Sequence, residues 1–421
     1  MHRRRFVGTS ALTALTPVLQ GLAAAPEHAL GSFDRAVHDF MAARKTPGGA
    51  LAVVKDGRLV HARGFGWADS DGKVPVTATS LFRIASISKP ITAVAMLQLV
   101  ERGKLTLDTR VLDLLPHQAV VPLGGKPDPR WRQITVRHCL QHTGGWDRDK
   151  TFDPMFRARQ IAVATRTPVP ASADAVVKFM LGQPLDFDPG TRYAYSNFGY
   201  CVLGRIMEHL TGQSYEAFVK ASVLAQCGIQ SMRLGRTLAA HRAEREVHYH
   251  TPDNATAESL FPGTAAKVPW PYGGFHLEAM DAHGGWLASA VDLARFAAAL
   301  QHPAQCPLLK ADSWRELHAA PQAPVSRNDD GSLKETFYAC GWSARPVGHP
   351  PQGANYWHTG SLPGTRTLLV RRWDGLSWAV FFNQRQEIPN LPDAAIDGAM
   401  HQAAAAVKEW PKENLFPKFA G

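Results

Sequence analysis

Two hairpin signatures, one near each end of the chain, constrain the fold more than anything else in the sequence. Gly48 to Val54 is an apolar run, Asp56-Gly57 is a two-residue turn, and the chain returns from Arg58 to Gly66. Near the other end, Thr365 to Trp373, the turn Asp374-Gly375 and Leu376 to Asn383 repeat that pattern. Asp-Gly supplies the positive φ angles that a tight hairpin turn demands. Between the two hairpins the apolar spacing is mostly helical. The expected architecture is therefore α+β (mixed α/β): an antiparallel sheet formed from both chain ends and flanked by helices, with an inserted, mainly helical lobe over roughly residues 90–280.

Helix signals place the elements. Phe33, Ala36, Val37, Phe40 and Met41 recur at helical spacing over 32–44. Ser86 to Gly103 is apolar and periodic, Thr135 caps a helix that runs to His142, and Ser172 caps one that runs through Leu181. A helix from about Phe198 carries Val202, Leu203, Ile206 and Met207 and stops at Thr211-Gly212. Ser289 and Asp292 form a capping box ahead of Leu293 to Leu300, and Pro392 with Asp393 start an alanine-rich helix from Ala394 to Trp410. The Pro/Gly-rich stretches 121–130, 261–274 and 346–354 are expected to be surface loops.

The 421 residues are 45% hydrophobic and 19% charged, which excludes a disordered chain. Lys plus Arg exceed Asp plus Glu by 46 − 36 = 10. The excess is spread thinly, and no basic run interleaved with aromatics points to nucleic acid. Five scattered cysteines, without a CxxC pair, exclude a small disulfide scaffold and leave at least one thiol free or paired between chains.

Residues 1–25 have the layout of an export signal. Arg3-Arg4-Arg5-Phe6-Val7 resembles a twin-arginine start, Val7 to Leu22 is apolar, and Ala23-Ala24-Ala25 offers small residues for cleavage. The remaining domain, about 30–415, is expected to be periplasmic or secreted, with no stable membrane insertion once the signal is removed. Pro17, Gln20 and Gly21 make the leader itself a poor membrane span.

Three short motifs carry chemistry. Ser86-Ile87-Ser88-Lys89 puts a serine and a lysine three residues apart, on one face of a helix start. A partly desolvated lysine there can act as the base that a serine nucleophile needs. Tyr195-Ser196-Asn197 lies on a loop entering a helix; a tyrosine whose pKa a nearby cation lowers can relay a proton, and an asparagine can hold a substrate carbonyl. His358-Thr359-Gly360-Ser361 closes an extended segment that starts near Asn355. Its glycine is expected to let a substrate lie along the strand edge, and the Ser361 N–H to join that of Ser86 as an oxyanion donor.

The order SxxK, then YxN about 110 residues on, then HTG about 160 further, resembles the penicillin-recognising serine hydrolases. These include class C β-lactamases, DD-peptidases and the esterases that share their fold. The stretches "LTLDTRVLDLL" (105–115), "ITVRHCLQHTGGW" (134–146), "YSNFGYCVLG" (195–204) and "GGWLASAVDLARF" (284–296) support the likeness, which runs from about residue 32 to 400. The resemblance implies a serine hydrolase acting through a Ser86 acyl-enzyme on an ester or amide, without metal or cofactor. Lys89 would be the base, Tyr195 the proton shuttle to the leaving group, and Asn197, His358, Thr359, Gly360 and Ser361 would bind the substrate, a small molecule or peptide. His358 stands where β-lactamases carry lysine, which removes a fixed charge for a substrate carboxylate. Arg366 and Arg371 are the candidate replacements. DD-peptidase action on cell-wall peptides, β-lactam hydrolysis and a non-catalytic receptor are the alternatives.

Two rival sites are weaker. His138 and His142 have the spacing of a zinc helix, but no third ligand is evident. A GxSxG elbow is absent, since Thr359 stands two residues before Ser361. Trp146 and Trp286 read as buried core.

Overall fold

The computed structural model describes residues 30–120, 126–348, 352–385 and 394–419. The leader, residues 1–25, lies outside the described residues, as do the start signals Pro392 and Asp393. In chain order the strands are β1 (Gly48–Lys55), β2 (Arg58–Asp69), β3 (Val74–Pro75), β4 (Phe82–Arg83), β5 (Arg233–Leu234), β6 (Thr256–Glu258) and β7 (Lys267–Pro269). They continue with β8 (Trp286–Ala288), β9 (Phe337–Tyr338), β10 (Ser343–Val347), β11 (Gly353–Leu362), β12 (Thr365–Arg371) and β13 (Leu376–Phe382). The helices are α1 (Gly31–Arg44), α2 (Ser88–Glu101), α3 (Val136–Leu140), α4 (Ala158–Thr165), α5 (Ala173–Leu181) and α6 (Asn197–Thr211). Then come α7 (Tyr215–Val219), α8 (Asp281–Gly284), α9 (Ala290–Ala299), α10 (Ala311–His318) and α11 (Ala395–Ala405).

The main sheet is antiparallel, with strand order β3-β2-β1-β13-β12-β11-β10-β9. The two chain ends meet in its middle: β1 pairs with β13 from Gly49 opposite Phe382 to Lys55 opposite Leu376. The hairpin turns lie side by side, the Asp56 N–H donating to the Gly375 carbonyl at 2.8 Å. Asp56 and Gly57 both have positive φ, 48° and 75°, as this turn type requires.

Alternation along the strands divides their side chains between two cores. Leu51 and Val53 face one way and join Phe33, Val37 and Phe40 of α1 with Ile396 and Met400 of α11. Ala50, Ala52 and Val54 face the other way and belong to the larger core, with Leu293 and Phe296 of α9. Small alanines on that face let α9 lie close over β1. Helix α2 is buried all round, every residue from Ser88 to Leu99, so it serves as a central pillar instead of an amphipathic surface helix.

Local grammar decides most boundaries. The Ser289–Asp292 capping box is closed by both of its bonds, at 3.1 and 2.9 Å. Ser172 accepts from the Ala175 N–H at 3.2 Å, and Gly212 ends α6 with φ 67°. Several expectations are corrected. The helix predicted to run to Trp410 ends at Ala405. α2 begins at Ser88, with Ser86 in a preceding 3₁₀ turn (Ala85–Ile87). Two of the expected loops hold strands, because pairing completes what Pro and Gly interrupt: β7 pairs with β6, and β10 with β11 across residues 347–353. His358 to Ser361 close β11 (Gly353–Leu362), the extended segment expected there. All five cysteines are free thiols, Cys139, Cys201 and Cys340 buried and Cys227 and Cys306 half-buried. Among the described residues no helix is long and apolar enough to cross a membrane.

Phe381 is fully buried where β13 meets the larger core. Phe381→Ala is expected to lower the unfolding free energy by about 3–5 kcal/mol in urea denaturation; a loss under about 1 kcal/mol would mean this seam is not the core.

Candidate active site

The turn that carries Ser86 is held from three sides. Upstream, β4 pairs with β8 and the Ile84 N–H donates to the Trp286 carbonyl at 2.9 Å. Arg83 is sunk in the core, its guanidinium donating to the carbonyls of Pro271 at 2.6 Å and Arg236 at 2.8 Å. From below, the Thr365 and Thr367 hydroxyls of β12 donate to the carbonyls of Arg83 at 3.0 Å and Ile84 at 2.9 Å. Ala85 then takes a left-handed conformation, φ 49°, which costs a residue with a Cβ roughly 1–2 kcal/mol. That kink brings Ser86 to the wall of a cleft of about 570 Å³.

Gly360 is the seat of this turn. A Cβ at 360 would lie 2.1 Å from the Ile84 carbonyl oxygen and 2.1 Å from the Thr367 hydroxyl. The glycine makes room for the Ile84 carbonyl at the base of the serine's turn, a role the sequence does not reveal. Thr359 and Ser361 line the cleft. β10 pairs with β11 only as far as Trp357, leaving the edge beyond it facing the Ser86 turn. Pro346, opposite Ala354, has no N–H to give, so the hydrogen-bonded pairs fall at Asn355 and Trp357. The same alternation turns the N–H of Thr359 and Ser361 toward that open edge.

Lys89 lies fully buried, with Nζ 3.0 Å from Ser86 Oγ, 2.8 Å from Asn197 Oδ1 and 3.1 Å from the His283 carbonyl oxygen. None of these partners is a carboxylate. Burial holds the amine well below its ordinary pKa, with Asp153 pulling up and Arg148 pushing down. An amine with a lone pair beside a serine hydroxyl can take its proton.

Tyr195 is also within hydrogen-bonding reach of Ser86. Its ring centroid lies 4.7 Å from Lys89 Nζ and 4.6 Å from the Arg148 guanidinium. These cations do not make it acidic, contrary to expectation: burial dominates and raises its pKa, so the phenol keeps its proton. Asn197 opens α6 and lines the cleft, but both ends of its amide are engaged. Oδ1 accepts from Lys89, and Nδ2 donates to Asp153 Oδ2 at 2.6 Å. Nδ2 keeps a second N–H beyond these bonds, so the residue that fixes the lysine still has a donor at the cleft.

His358 is neutral. Nδ1–H donates to the Thr359 carbonyl at 2.7 Å, and Nε2 accepts from the Tyr338 hydroxyl at 2.9 Å. Burial, with the Lys89 charge adding to it, lowers its pKa to about 3. Of the two candidate cations, Arg366 lines the cleft; Arg371 is buried elsewhere, against His318 at 2.8 Å. His138 and His142 do not share a helix, since α3 ends at Leu140 and His142 has φ 57°. His142 instead accepts from the Ser196 N–H at 3.2 Å, its ring 4.3 Å from that of Tyr195 and 4.4 Å from that of Tyr338. Among the described residues no three His, Cys, Asp or Glu side chains are grouped to hold a metal ion. Trp146 and Trp286 are core residues, packed on Phe198 and Tyr215 respectively.

Sequence reasoning missed Asp153, Tyr338, His283, Arg148 and Arg385, all at the cleft or one contact from it. Asp153 reads as an ordinary cap for the turn Pro154–Phe156, and one oxygen does accept from the Met155 N–H at 3.1 Å. Nothing in the sequence marks the use of the other.

The sequence matches the family described as Beta-lactamase over residues 33–402, nearly the whole described chain. The chain belongs to the Beta-lactamase family. Members of this family are serine hydrolases that act on small substrates. Penicillin-binding protein 4 of Amycolatopsis lactamdurans is 34% identical over 332 residues, 77% of each chain. Penicillin-binding protein 4* of Bacillus subtilis is 26% identical over 357 residues, 84% of this chain and 71% of that one. Among solved structures, the octameric penicillin-binding protein homologue from Pyrococcus abyssi superposes with a TM-score of 0.67 at 23% identity, over 91% of this chain and 79% of that one. The D-amino acid amidase from Ochrobactrum anthropi SV3 gives 0.64 at 20% identity, over 89% and 98%. The likeness to these two structures is one of fold.

Gly360→Ala is expected to displace the Ser86 turn and cut the labelling rate of Ser86 by a fluorophosphonate roughly 10²-fold, the cost of about 1 Å of misplacement. An unchanged rate would show that the turn does not rest on β11.

Proposed function

We propose that the chain is an exported serine hydrolase that cleaves an ester or amide through an acyl-enzyme on Ser86. The leader of residues 1–25 directs export, and the hydrolase domain spans about 30–415 with a helical lobe over roughly 90–280. The observation that carries the reading is the Ser86 Oγ placed 3.0 Å from a buried lysine amine that has no carboxylate partner. A lysine recruited for structure alone would be expected to sit beside an acid.

The reaction runs as follows. Lys89 takes the Ser86 proton as Oγ attacks the substrate carbonyl. The resulting oxyanion is held by the N–H groups of Ser86 and Ser361, each worth roughly 3 kcal/mol in such a site. Tyr195, protonated because it is buried, gives its proton to the departing oxygen or nitrogen and is recharged from Lys89. Water then repeats the sequence on the acyl-enzyme. Asn197 holds Lys89 toward Ser86. Asp153 fixes the direction of that amide, because a carboxylate accepts only and so turns Nδ2 toward itself and Oδ1 toward the lysine.

The neutral His358 favours esters and amides over β-lactams and over peptides that end in a carboxylate beside it. DD-peptidase or β-lactamase action and a non-catalytic receptor are the readings it competes with. Hydrolysis of p-nitrophenyl butyrate and of a chromogenic cephalosporin, compared in wild type and Ser86→Ala, decides among them. Ester turnover lost by more than about 10³-fold in the mutant is the expected result. Faster Ser86-dependent opening of the cephalosporin would make it a β-lactamase, and activity that survives in Ser86→Ala would remove the mechanism.

The acid limb of the rate profile should report the protonation of Lys89, so activity rises as pH rises through that pKa. Asp153 is the group that raises it. Asp153→Asn is accordingly expected to move the limb to lower pH; a limb that stays in place would mean the carboxylate does not reach the lysine electrostatically.

A further inference from the structure

A second pocket of about 220 Å³ opens off the cleft and shares Tyr193, Tyr338 and Ser343 with it. Its other walls are Pro321, Val325, Phe337 and Trp357, with Thr336 and Lys334. The Lys334 amine donates to the Val325 carbonyl at 2.9 Å, so the one ammonium in the wall has a backbone partner. Tyr193 is 44% exposed, a large ring left open beside the catalytic tyrosine, and stands 5.9 Å from the ring of Tyr338.

The position of this annex along β11 gives it a role. It touches β11 at Trp357, in mid-strand where the pairing with β10 stops, while Ser361 and Leu362 line the cleft at the C-terminal end of the strand. Tyr195 stands on the annex side of the cleft, its ring 6.3 Å from that of Tyr338, which the annex shares, and 6.4 Å from that of His358. The group that receives the Tyr195 proton departs on that side. We propose that the annex is the leaving-group pocket of this hydrolase, and that it takes an uncharged aromatic alcohol or amine of one or two rings.

The inference rests on the acyl-transfer reading above. When the tetrahedral adduct collapses, the scissile C–O or C–N bond breaks and its electron pair stays on the departing atom. That atom takes the Tyr195 proton, leaving a neutral arene-bearing product in contact with Tyr193, Phe337 and Trp357. Aromatic rings meet such walls edge-on or offset and add to simple burial. The volume exceeds the roughly 150 Å³ that suffices for benzene in an apolar cavity. Aromatic walls outnumber the single cation of the annex, Lys334, and the imidazole of His358 near it is neutral.

The test compares 1-naphthyl butyrate with ethyl butyrate, which share an acyl group, in wild type, Thr336→Trp and Phe337→Ala. Thr336 is exposed at the annex, so a tryptophan there fills the pocket without entering the core. Intrinsic reactivity of the two esters cancels in the ratio of ratios. Filling the pocket is expected to lower the naphthyl-to-ethyl kcat/KM ratio at least tenfold, and removing the Phe337 ring to lower it about fivefold. Inhibition by 1-naphthol, the first product released, should weaken in parallel. An unchanged ratio in both variants, with Ser86-dependent turnover intact, would overturn the annex assignment and leave the hydrolase reading standing. Absence of Ser86-dependent turnover of either ester would overturn both.

Discussion

The backbone contact between the Ser86 turn and β11 is the constraint on which the rest of the site depends. Ile84 rests on Gly360 with no room for a side chain, and the Thr367 and Thr365 hydroxyls of β12 hold the carbonyls of Ile84 and of Arg83 before it. The serine comes from the turn that leads into the central helix, while the strand edge that faces it comes from the far end of the sequence. Neither could define a reaction centre alone. Rigid secondary structure on both sides fixes the separation between the serine and that edge, which is what a donor pair for an oxyanion needs.

Around that seat the titratable groups are arranged by exclusion of water. Lys89, His142, His283 and His358 are all buried, and burial drives each toward its neutral form. Their mutual repulsion works in the same direction. Among the described residues Asp153, half-buried and bonded to the Asn197 amide that holds Lys89, opposes this by drawing the lysine pKa up. Burial also raises its own pKa, so its charge is held in place by that amide, a backbone N–H and the nearby Arg148. The result is a basin in which protons can move between Ser86, Lys89 and Tyr195 without a large change in net charge.

Much of this was legible in the sequence, for identifiable reasons. The Asp-Gly turns, the Ser172 and Ser289 caps and the Gly212 stop are local, so they read correctly without tertiary knowledge. The three motifs could be ordered, and their order resembles a family whose fold the chain adopts. What escaped depends on packing. His142 carries metal-like spacing, yet a left-handed residue ends its helix two positions early and turns it into the ring that backs Tyr195. Asn197 reads as a contact for substrate, and the sequence does not reveal that Asp153 waits on its other side. The phenol of Tyr195 was expected to turn acidic beside a cation; enclosure by His142, Tyr338 and Lys89 removes the water that would support a phenolate.

The pairing of β1 with β13 has a consequence in time. The central pair of the sheet joins the first strand to the last, so no early segment of the chain can bury both faces of β1. Such long-range closure is slow compared with helix formation, because the loop entropy is spent before the contacts form. During synthesis the N-terminal hairpin emerges with an unpaired edge long before residues 376–382 exist to cover it. An edge of that kind is a template for association with other strands. The chain is therefore open to chaperone capture until its C-terminal hairpin arrives, and the arrival of that hairpin commits the fold.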